Sequence, residues 1–308
     1  MTARLSVVVP AYNVANYIGE CLDPILACGD PDIEIVVVND AATDDTAAVL
    51  ESCRDPRLRV VTHQKNQGLP AARNTGFRAS SGDYILPLDG DDIPCPESWP
   101  FLISSLQQNP MAVAAYGYRQ MFVDGDSFVP RRNVRLAMPS GDILREITQD
   151  NFLTPGTVIV RRSAIAIAGG WDESLTIGED WEMWCRLALG GAFVCCPGQL
   201  MLGYRIRKGS ISRSPVYQTI PNMWRPVDAI LSNTDIKRSL GEQYDDIERQ
   251  TIARFYYRCA YNSWRQKKFM QAVVNFVASV RMSPLRLAYF ALYPLRVIRR
   301  MGGGGVVV

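Results

Sequence analysis

Two rhythms of apolar and polar positions alternate through the first third of the chain. Residues 5–9 are apolar except for Ser6, and residues 33–38 are apolar except for Glu34. Runs of that length without polar alternation predict strands buried on both faces. Between them, Val14, Ile18, Leu22, Ile25 and Leu26 recur at helical spacing behind Asn13, which predicts a helix capped by that asparagine. The rhythm then repeats. Asp44-Asp45-Thr46 opens a second helix with Ala47, Val49 and Leu50, and residues 57–62 form a third strand. Pro70 suits the first turn of a third helix, and residues 84–88 form a fourth strand. Strand and helix in this order predict right-handed βαβ units on a parallel sheet.

Beyond Pro110 the pattern changes. Residues 112–118 and 157–160 read as strands, residues 122–129 as a hairpin turning at Asp124-Gly125, and residues 179–189 as a helix. From about Tyr217 onward the chain reads as helices. The glycines at 302–305 are low-complexity and read as a disordered end. The expected division is an α/β domain over residues 1–215, a helical basic region over 216–301 and a tail over 302–308.

Charge alters this picture. The chain of 308 residues carries a net charge of +2, but no acidic residue follows Glu248, and residues 249–300 hold eleven Lys and Arg. Residues 1–248 therefore carry −9, an acidic body with a basic tail. The tail interleaves Phe255, Tyr256, Tyr257, Tyr261 and Trp264 with arginines. Nucleic acid is a poor partner for a chain with so acidic a body. Two readings stay open, an anionic membrane surface contacted through residues 249–300 and a helical cap over the core. Residues 285–297 are apolar but too short and too charged to span a bilayer.

A single histidine, His63, rules out a multi-histidine zinc site, and without a GxSxG elbow no Ser-His-Asp triad is available. His63 follows the third strand and reads as a loop residue. Eight cysteines without a CxxC pair predict a reduced, cytoplasmic protein, peripheral on the cytoplasmic membrane face if the tail binds lipid. No leader is expected, since the apolar run after Met1 is short and ends at Pro10.

The chemistry gathers where the predicted strands end, in Pro10-Ala11-Tyr12-Asn13, Asn39-Asp40 and Asp89-Gly90-Asp91-Asp92. Ligands of open α/β sheets bind beyond these ends. Four converging carboxylates call for a cation or a hydrogen-bonding ligand, and oxygen donors favour Mn²⁺ or Mg²⁺ bridging the protein to phosphates. A solvated acidic turn is the plainer alternative.

The strings SVVVPAYNVANYIGECLDPIL, EIVVVNDAATDDT and NQGLPAARNTGFRASSGDYILPLDGDD, followed by GGWDESLTIGEDWEMWCRLALGG, resemble the family 2 glycosyltransferases over residues 4–215. The resemblance implies a GT-A fold, a Rossmann-like and mainly parallel sheet flanked by helices, with a helical C-terminal extension. It implies a metal-dependent, inverting transferase that moves a sugar from a nucleotide-diphosphate donor, UDP favoured, to a saccharide or lipid-linked acceptor. On that pattern Pro10, Ala11, Tyr12 and Asp40 contact the nucleoside, and Arg73, Asn74, Asp89 and Gly90 the rest of the donor. Asp91 ligates the metal, Asp180 is the general base, and Glu179 and Trp181 stand on the acceptor side, with a pocket drawn from residues 121–152. Acids in the first turn of a helix also suit its dipole, so Glu179-Asp180 has a structural explanation as well.

The chain departs from the family pattern at Tyr204-Arg205-Ile206-Arg207, where Arg207 stands in place of the usual His. Arg207 cannot ligate a metal. With Arg205, Lys208 and Arg213 it forms either a clamp for the donor diphosphate or a solvated basic loop. The processive QxxRW motif is missing, which implies one sugar per encounter. A degenerate sugar-nucleotide-binding protein and a sugar-phosphate nucleotidyltransferase are the alternatives, and PAYNVANY lacks the glycine-rich loop of the latter.

Overall fold

The four apolar runs become the strands they predict. The computed structural model describes residues 4–131, 138–210, 214 and 219–284. In it β1 (Leu5–Ala11), β2 (Ile33–Asn39), β3 (Leu58–Thr62) and β4 (Tyr84–Pro87) run parallel. All of β1 and β4 is buried, and all of β2 except the half-buried Glu34. Helices cover both faces, which is why these strands show no alternation. β3 is the edge strand and keeps exposed positions.

Three helices separate these strands, α1 (Ile18–Ala27), α2 (Thr46–Ser52) and α3 (Leu69–Ala79). Pro70 lies in the first turn of α3 as expected. Asn13 does not cap α1. Its φ of 53° puts it in the left-handed region, and its Oδ1 accepts the Thr43 N–H at 2.8 Å. It fastens the exit of β1 to the loop after β2 instead.

The second half adds β5 (Ile93–Pro94), α4 (Trp99–Gln108), β6 (Ala112–Val123), α5 (Leu144–Gln149), β7 (Val158–Arg161), α6 (Arg162–Ala168), α7 (Glu179–Gly190) and β8 (Ala192–Ile206). The sheet order is β3-β2-β1-β4-β7-β6-β8-β5, with β7 antiparallel to both its neighbours and β6 parallel to β8. Register shifts interrupt the β6–β8 ladder at three places. Each bulge breaks the two-residue period, which hid β8 and the outer part of β6 from pattern reading. The Asp124-Gly125 turn forms, with Gly125 at φ 92°, but residues 126–131 return without a strand, so the expected 122–129 hairpin is absent.

Four further helices follow, α8 (Ile220–Ser232), α9 (Thr234–Leu240), α10 (Tyr244–Arg265) and α11 (Phe269–Met282). On one side of the sheet Val9, Ile18, Leu86, Trp99 and Met201 share a core. On the other, Ile85 and Val160 pack in one cluster with Trp184 of α7, Ile230 of α8 and Ile247 and Phe255 of α10. Arg254 and Arg258 of α10 grip Asp150 after α5, Arg254 at 2.8 Å. Toward the sheet, α10 therefore acts as a cap. All eight cysteines are free thiols. No helix among the described residues is long and apolar enough to cross a membrane. The 215/216 boundary, Arg213, residues 285–297 and the tail at 302–308 lie outside the described residues.

Candidate active site

β1, β2 and β4 are neighbours, so their carboxyl ends open along one edge. The Asp40 N–H donates to the Ala11 carbonyl at 2.9 Å and binds the first two exits together. Pro10 and Ala11 are buried, and Tyr12 stands exposed at the lip. The Asp40 carboxylate is buried but well supplied with donors. Oδ1 accepts the Gln67 N–H at 2.8 Å, and Oδ2 accepts the Gly68 N–H at 2.9 Å. His63 Nδ1 lies 2.7 Å from Oδ1, and its Nε2 lies 3.0 Å from Thr75 Oγ1 on α3. His63 is thus a buried strut between α3 and Asp40 and not an ordinary loop residue. A carboxylate only accepts, so Nδ1 carries the proton toward it.

The acidic turn is held at both ends. Leu88 N–H donates to the Val8 carbonyl at 2.9 Å, and Arg205 N–H donates to Asp92 Oδ1 at 2.8 Å. Gly90 lies so close to β1 and α1 that a Cβ would sit 3.2 Å from both the Pro10 carbonyl and Ile18 Cδ1. Asp92 faces inward, and burial together with Asp91 and Asp89 pushes its carboxyl well above the usual range. Only Asp89 and Asp91 meet the crevice, their side chains 28% and 20% exposed. The expected convergence of four carboxylates is therefore corrected. Asp40 is satisfied by its own donors and Asp92 anchors β8.

Arg73, buried on α3, joins the two sides. Its Nη2 donates to Asp89 Oδ1 at 2.7 Å and its Nη1 to Glu179 Oε1. Burial opposes its charge, but Asp89, Glu179 and Asp180 outweigh that and hold the guanidinium more firmly protonated than usual. Burial pushes Glu179 up to about 7 despite Arg73 beside it. Burial also raises Asp180, against Arg73, the Trp181 N–H (2.8 Å) and Asn151 Nδ2 (3.1 Å), which all favour its charged form. Gly178 enters α7 at φ 71°, and a Cβ there would meet Pro226 of α8 at 2.8 Å. The helix dipole explains acids in this first turn. It does not explain why Glu179 is buried against Arg73.

The remaining expected residues divide. Trp181 is buried, donates from Nε1 to the Ile147 carbonyl at 2.5 Å, and has Arg258 of α10 over its ring at 6.0 Å. Asn74 is engaged by the loop before α7. Its Nδ2 donates to the Trp171 carbonyl (2.8 Å) and to Glu173 (2.9 Å), and its Oδ1 accepts the Trp171 N–H at 2.8 Å. Arg207 Nε donates to Asp91 Oδ2 at 2.6 Å, with the guanidinium over the Tyr17 ring at 4.9 Å. The solvated-loop reading of Arg207 does not hold. Arg205 lies within β8 and is committed to Glu20 (2.7 Å), the Asp91 carbonyl (2.8 Å) and Asp124 (3.3 Å), so it is no part of a free clamp.

Comparison with known proteins now decides the family. Residues 6–167 match the model of glycosyl transferase family 2. The chain belongs to that family. It is 30% identical over 217 residues to the succinoglycan biosynthesis protein ExoO of Rhizobium meliloti, covering 67% of this chain and 62% of the relative. It is 39% identical over 132 residues to an uncharacterized glycosyltransferase, EpsJ of Bacillus subtilis, covering 42% of this chain and 38% of the relative. This family 2 chain thus spans less than two thirds of the length of both curated relatives. S. aureus TarS 1-349 in complex with UDP-GlcNAc superposes with a TM-score of 0.66 at 20% identity, over 92% of this chain and 82% of the other. The mannosyltransferase PcManGT of Pyrobaculum calidifontis, in complex with GDP-Man and Mn²⁺, gives 0.56 at 17% identity, over 91% and 86%. The expected GT-A fold with a helical C-terminal region is the fold observed.

A divalent metal fits the family 2 crevice. Asp89 and Asp91 are hard oxygen donors on one turn, each paired to an arginine through one oxygen. Among the described residues no group of three His, Cys, Asp or Glu could hold a metal ion. Sequence reasoning missed Asn151, the role of His63, and the Glu20–Arg205 anchor. Asn151 has no spacing signal. Arg205 was in view within the Tyr204-Arg205 string, but the loop assignment concealed that it is buried.

Proposed function

We propose that this chain is a metal-dependent, inverting, non-processive glycosyltransferase. It moves a sugar from a nucleotide-diphosphate donor to a hydroxyl of a saccharide or lipid-linked acceptor. The observation that carries this reading is Arg73, one buried guanidinium that binds Asp89 on the donor side and Glu179 on the acceptor side. Asp180 follows Glu179 in the chain, and in this reading it faces the leaving group from the other side of Arg73. That arrangement supports a single displacement with inversion.

In this reading Pro10, Ala11, Tyr12 and Asp40 receive the nucleoside, and Asp40 is held for it by His63 and two amides. Asp89, Gly90, Arg73 and Arg207 receive the diphosphate and sugar, Arg207 swinging from Asp91 to the phosphates. Asn74 serves the donor side by fixing the Trp171 loop. Asp91, with Asp89, would hold Mn²⁺ or Mg²⁺, which offsets the charge of the departing diphosphate when bound. The acceptor hydroxyl is a weak nucleophile, and Asp180 takes its proton as the bond forms. Trp181 and Glu179 wall the acceptor side of a transferase domain over residues 1–215, with residues 216–301 as its C-terminal extension. UDP is the favoured nucleotide, motivated by the UDP-GlcNAc complex of the similar TarS fold.

A thermal-shift panel of UDP, GDP, dTDP and CMP, each with and without Mn²⁺, tests the donor site. A single diphosphate that stabilises only with Mn²⁺ and intact Asp91 is expected. No shift from any nucleotide would overturn the donor site. Binding without turnover on any sugar would leave a degenerate binding protein in place of a transferase.

A further inference from the structure

α11 is built inside out. The face it turns toward the protein carries Ala272, Asn275 and Ser279, all buried. Ser279 Oγ donates to the Ala253 carbonyl of α10 at 2.7 Å, and Asn275 accepts from Gln271. The face it turns outward carries Met270, Val273, Val274 and Val277, at the spacing of one helical stripe, and Met270 is 78% exposed. The stripe continues past the α10–α11 turn into Trp264 and Phe269, packed edge to face with centroids 5.1 Å apart and both exposed. Beside it a groove of about 700 Å³ runs between the start of α8 and α11, walled by Ile220, Pro221, Phe269, Met270 and Val274. Contiguous apolar surface of this kind marks a contact site.

The charge around the stripe selects the occupant. Arg265, Lys267, Lys268 and Arg281 flank it, all exposed, and no acidic residue occurs anywhere after Glu248. A second copy of the face would bring the same cations against these. The chain's own residues 285–301 add Arg286, Arg296, Arg299 and Arg300 and no acid, so they supply no counter-charge either. An anionic lipid surface supplies both missing components, acyl chains for the stripe and headgroup charge for the cations. Exposed Trp and Phe at the edge of the stripe suit the boundary between the two.

We propose that the outward face of α11, with the Trp264–Phe269 turn, is a docking surface for an anionic membrane. The core-facing side of α10 remains the cap already described. This deepens the transferase reading by naming the surface on which a lipid-linked acceptor would be met. α10 runs from that surface to Arg258 over Trp181 on the acceptor side.

The test is sedimentation of the full chain with phosphatidylcholine vesicles, with and without phosphatidylglycerol, in the absence of donor and acceptor. Binding to the anionic vesicles, weakened by salt, is expected. Met270→Gln with Val274→Gln should abolish it. Lys268→Gln with Arg281→Gln should weaken it roughly twenty-fivefold, at about fivefold for each cation near an anionic surface. All four side chains are exposed, so the thermal midpoint should stay where it is, which separates lost binding from lost folding. Failure to bind anionic vesicles overturns the proposal, as does equal binding to neutral ones. A concentration-dependent dimer abolished by the Met270/Val274 pair would also overturn it, and would assign the face to a second copy. Nucleotide binding by thermal shift is measured separately, so failure at the membrane is distinguishable from failure of the donor site.

Discussion

The carboxylates of the acidic turn after β4 and those in the first turn of α7 are held by different partners. Asp89 and Asp91 are partly exposed and each is paired with an arginine. Asp40 is buried but surrounded by N–H donors. Burial and Asp89 raise the pKa of Asp91, with Arg207 acting against them. Glu179 is buried against Arg73, Asp180 beside it is half-buried and accepts from the Trp181 N–H and Asn151, and burial raises the pKa of both. Raising a carboxyl by desolvation turns it from a spectator anion into a proton acceptor of useful strength. The two groups thus differ in the guanidinium that opposes burial, Arg207 for Asp91 and Arg73 for Glu179 and Asp180.

The most severe way to break this contrast is Arg73→Ala, which acts on both sides at once. It leaves buried Glu179 unpaired, and losing one partner of a buried pair costs about 3–5 kcal/mol. A fall in thermal midpoint together with loss of transfer is expected. An unchanged midpoint would mean that Arg73 does not hold the halves together. Asp180→Asn separates the sides. Transfer should drop by about 10²–10⁴, the usual worth of a positioned base, while the nucleotide thermal shift survives. Equal loss of both would make Asp180 structural.

Two smaller changes sharpen the comparison. Asn151→Ala removes a hydrogen bond to the half-buried Asp180 carboxylate, worth about 1.5–3 kcal/mol. The bond favours the charged form of Asp180, so losing it raises the pKa further. A base works when ionised, so the rate should begin to fail at a higher pH than in the parent as the solution is acidified. A pH–rate profile that does not move would remove Asn151 from the mechanism. His63→Phe should be mildest, because Asp40 keeps both amide donors. A loss of about 0.5–1.5 kcal/mol in nucleotide affinity is expected from titration, with the acidic limb of the rate unmoved. A shifted limb would mean that the two sides are not independent.

The donor half was far more legible in the sequence than the acceptor half, for physical reasons. Strands β1 to β4 are buried on both faces, so their apolar runs are uninterrupted, and the functional residues stand at the run ends. β8 follows a bulged partner and loses its period, so Arg205 and Arg207 were read as one loop when only Arg207 lies beyond the strand. Asn13 looked like a helix cap because its residue type suits both a cap and a left-handed turn. His63 gave no hint of Asp40, which lies 23 residues earlier. Asn151 is a lone polar residue on a connecting segment, and only the fold brings it to Asp180, 29 residues on. The tail's two readings were compatible from the outset, since one helix can cap while the next presents its outer face.

Arg73 and Glu179 are 106 residues apart, and this separation has a consequence for the newborn chain. At about 5–20 residues per second, roughly 5–20 s pass between synthesis of the arginine and of its glutamate. The parallel strands of the donor half can already have paired by then, with Asp89 as the only partner yet made for the guanidinium. The two sides of the crevice are thus made one after the other on the ribosome, and the arrival of residue 179 is the moment at which Arg73 can be closed away from water.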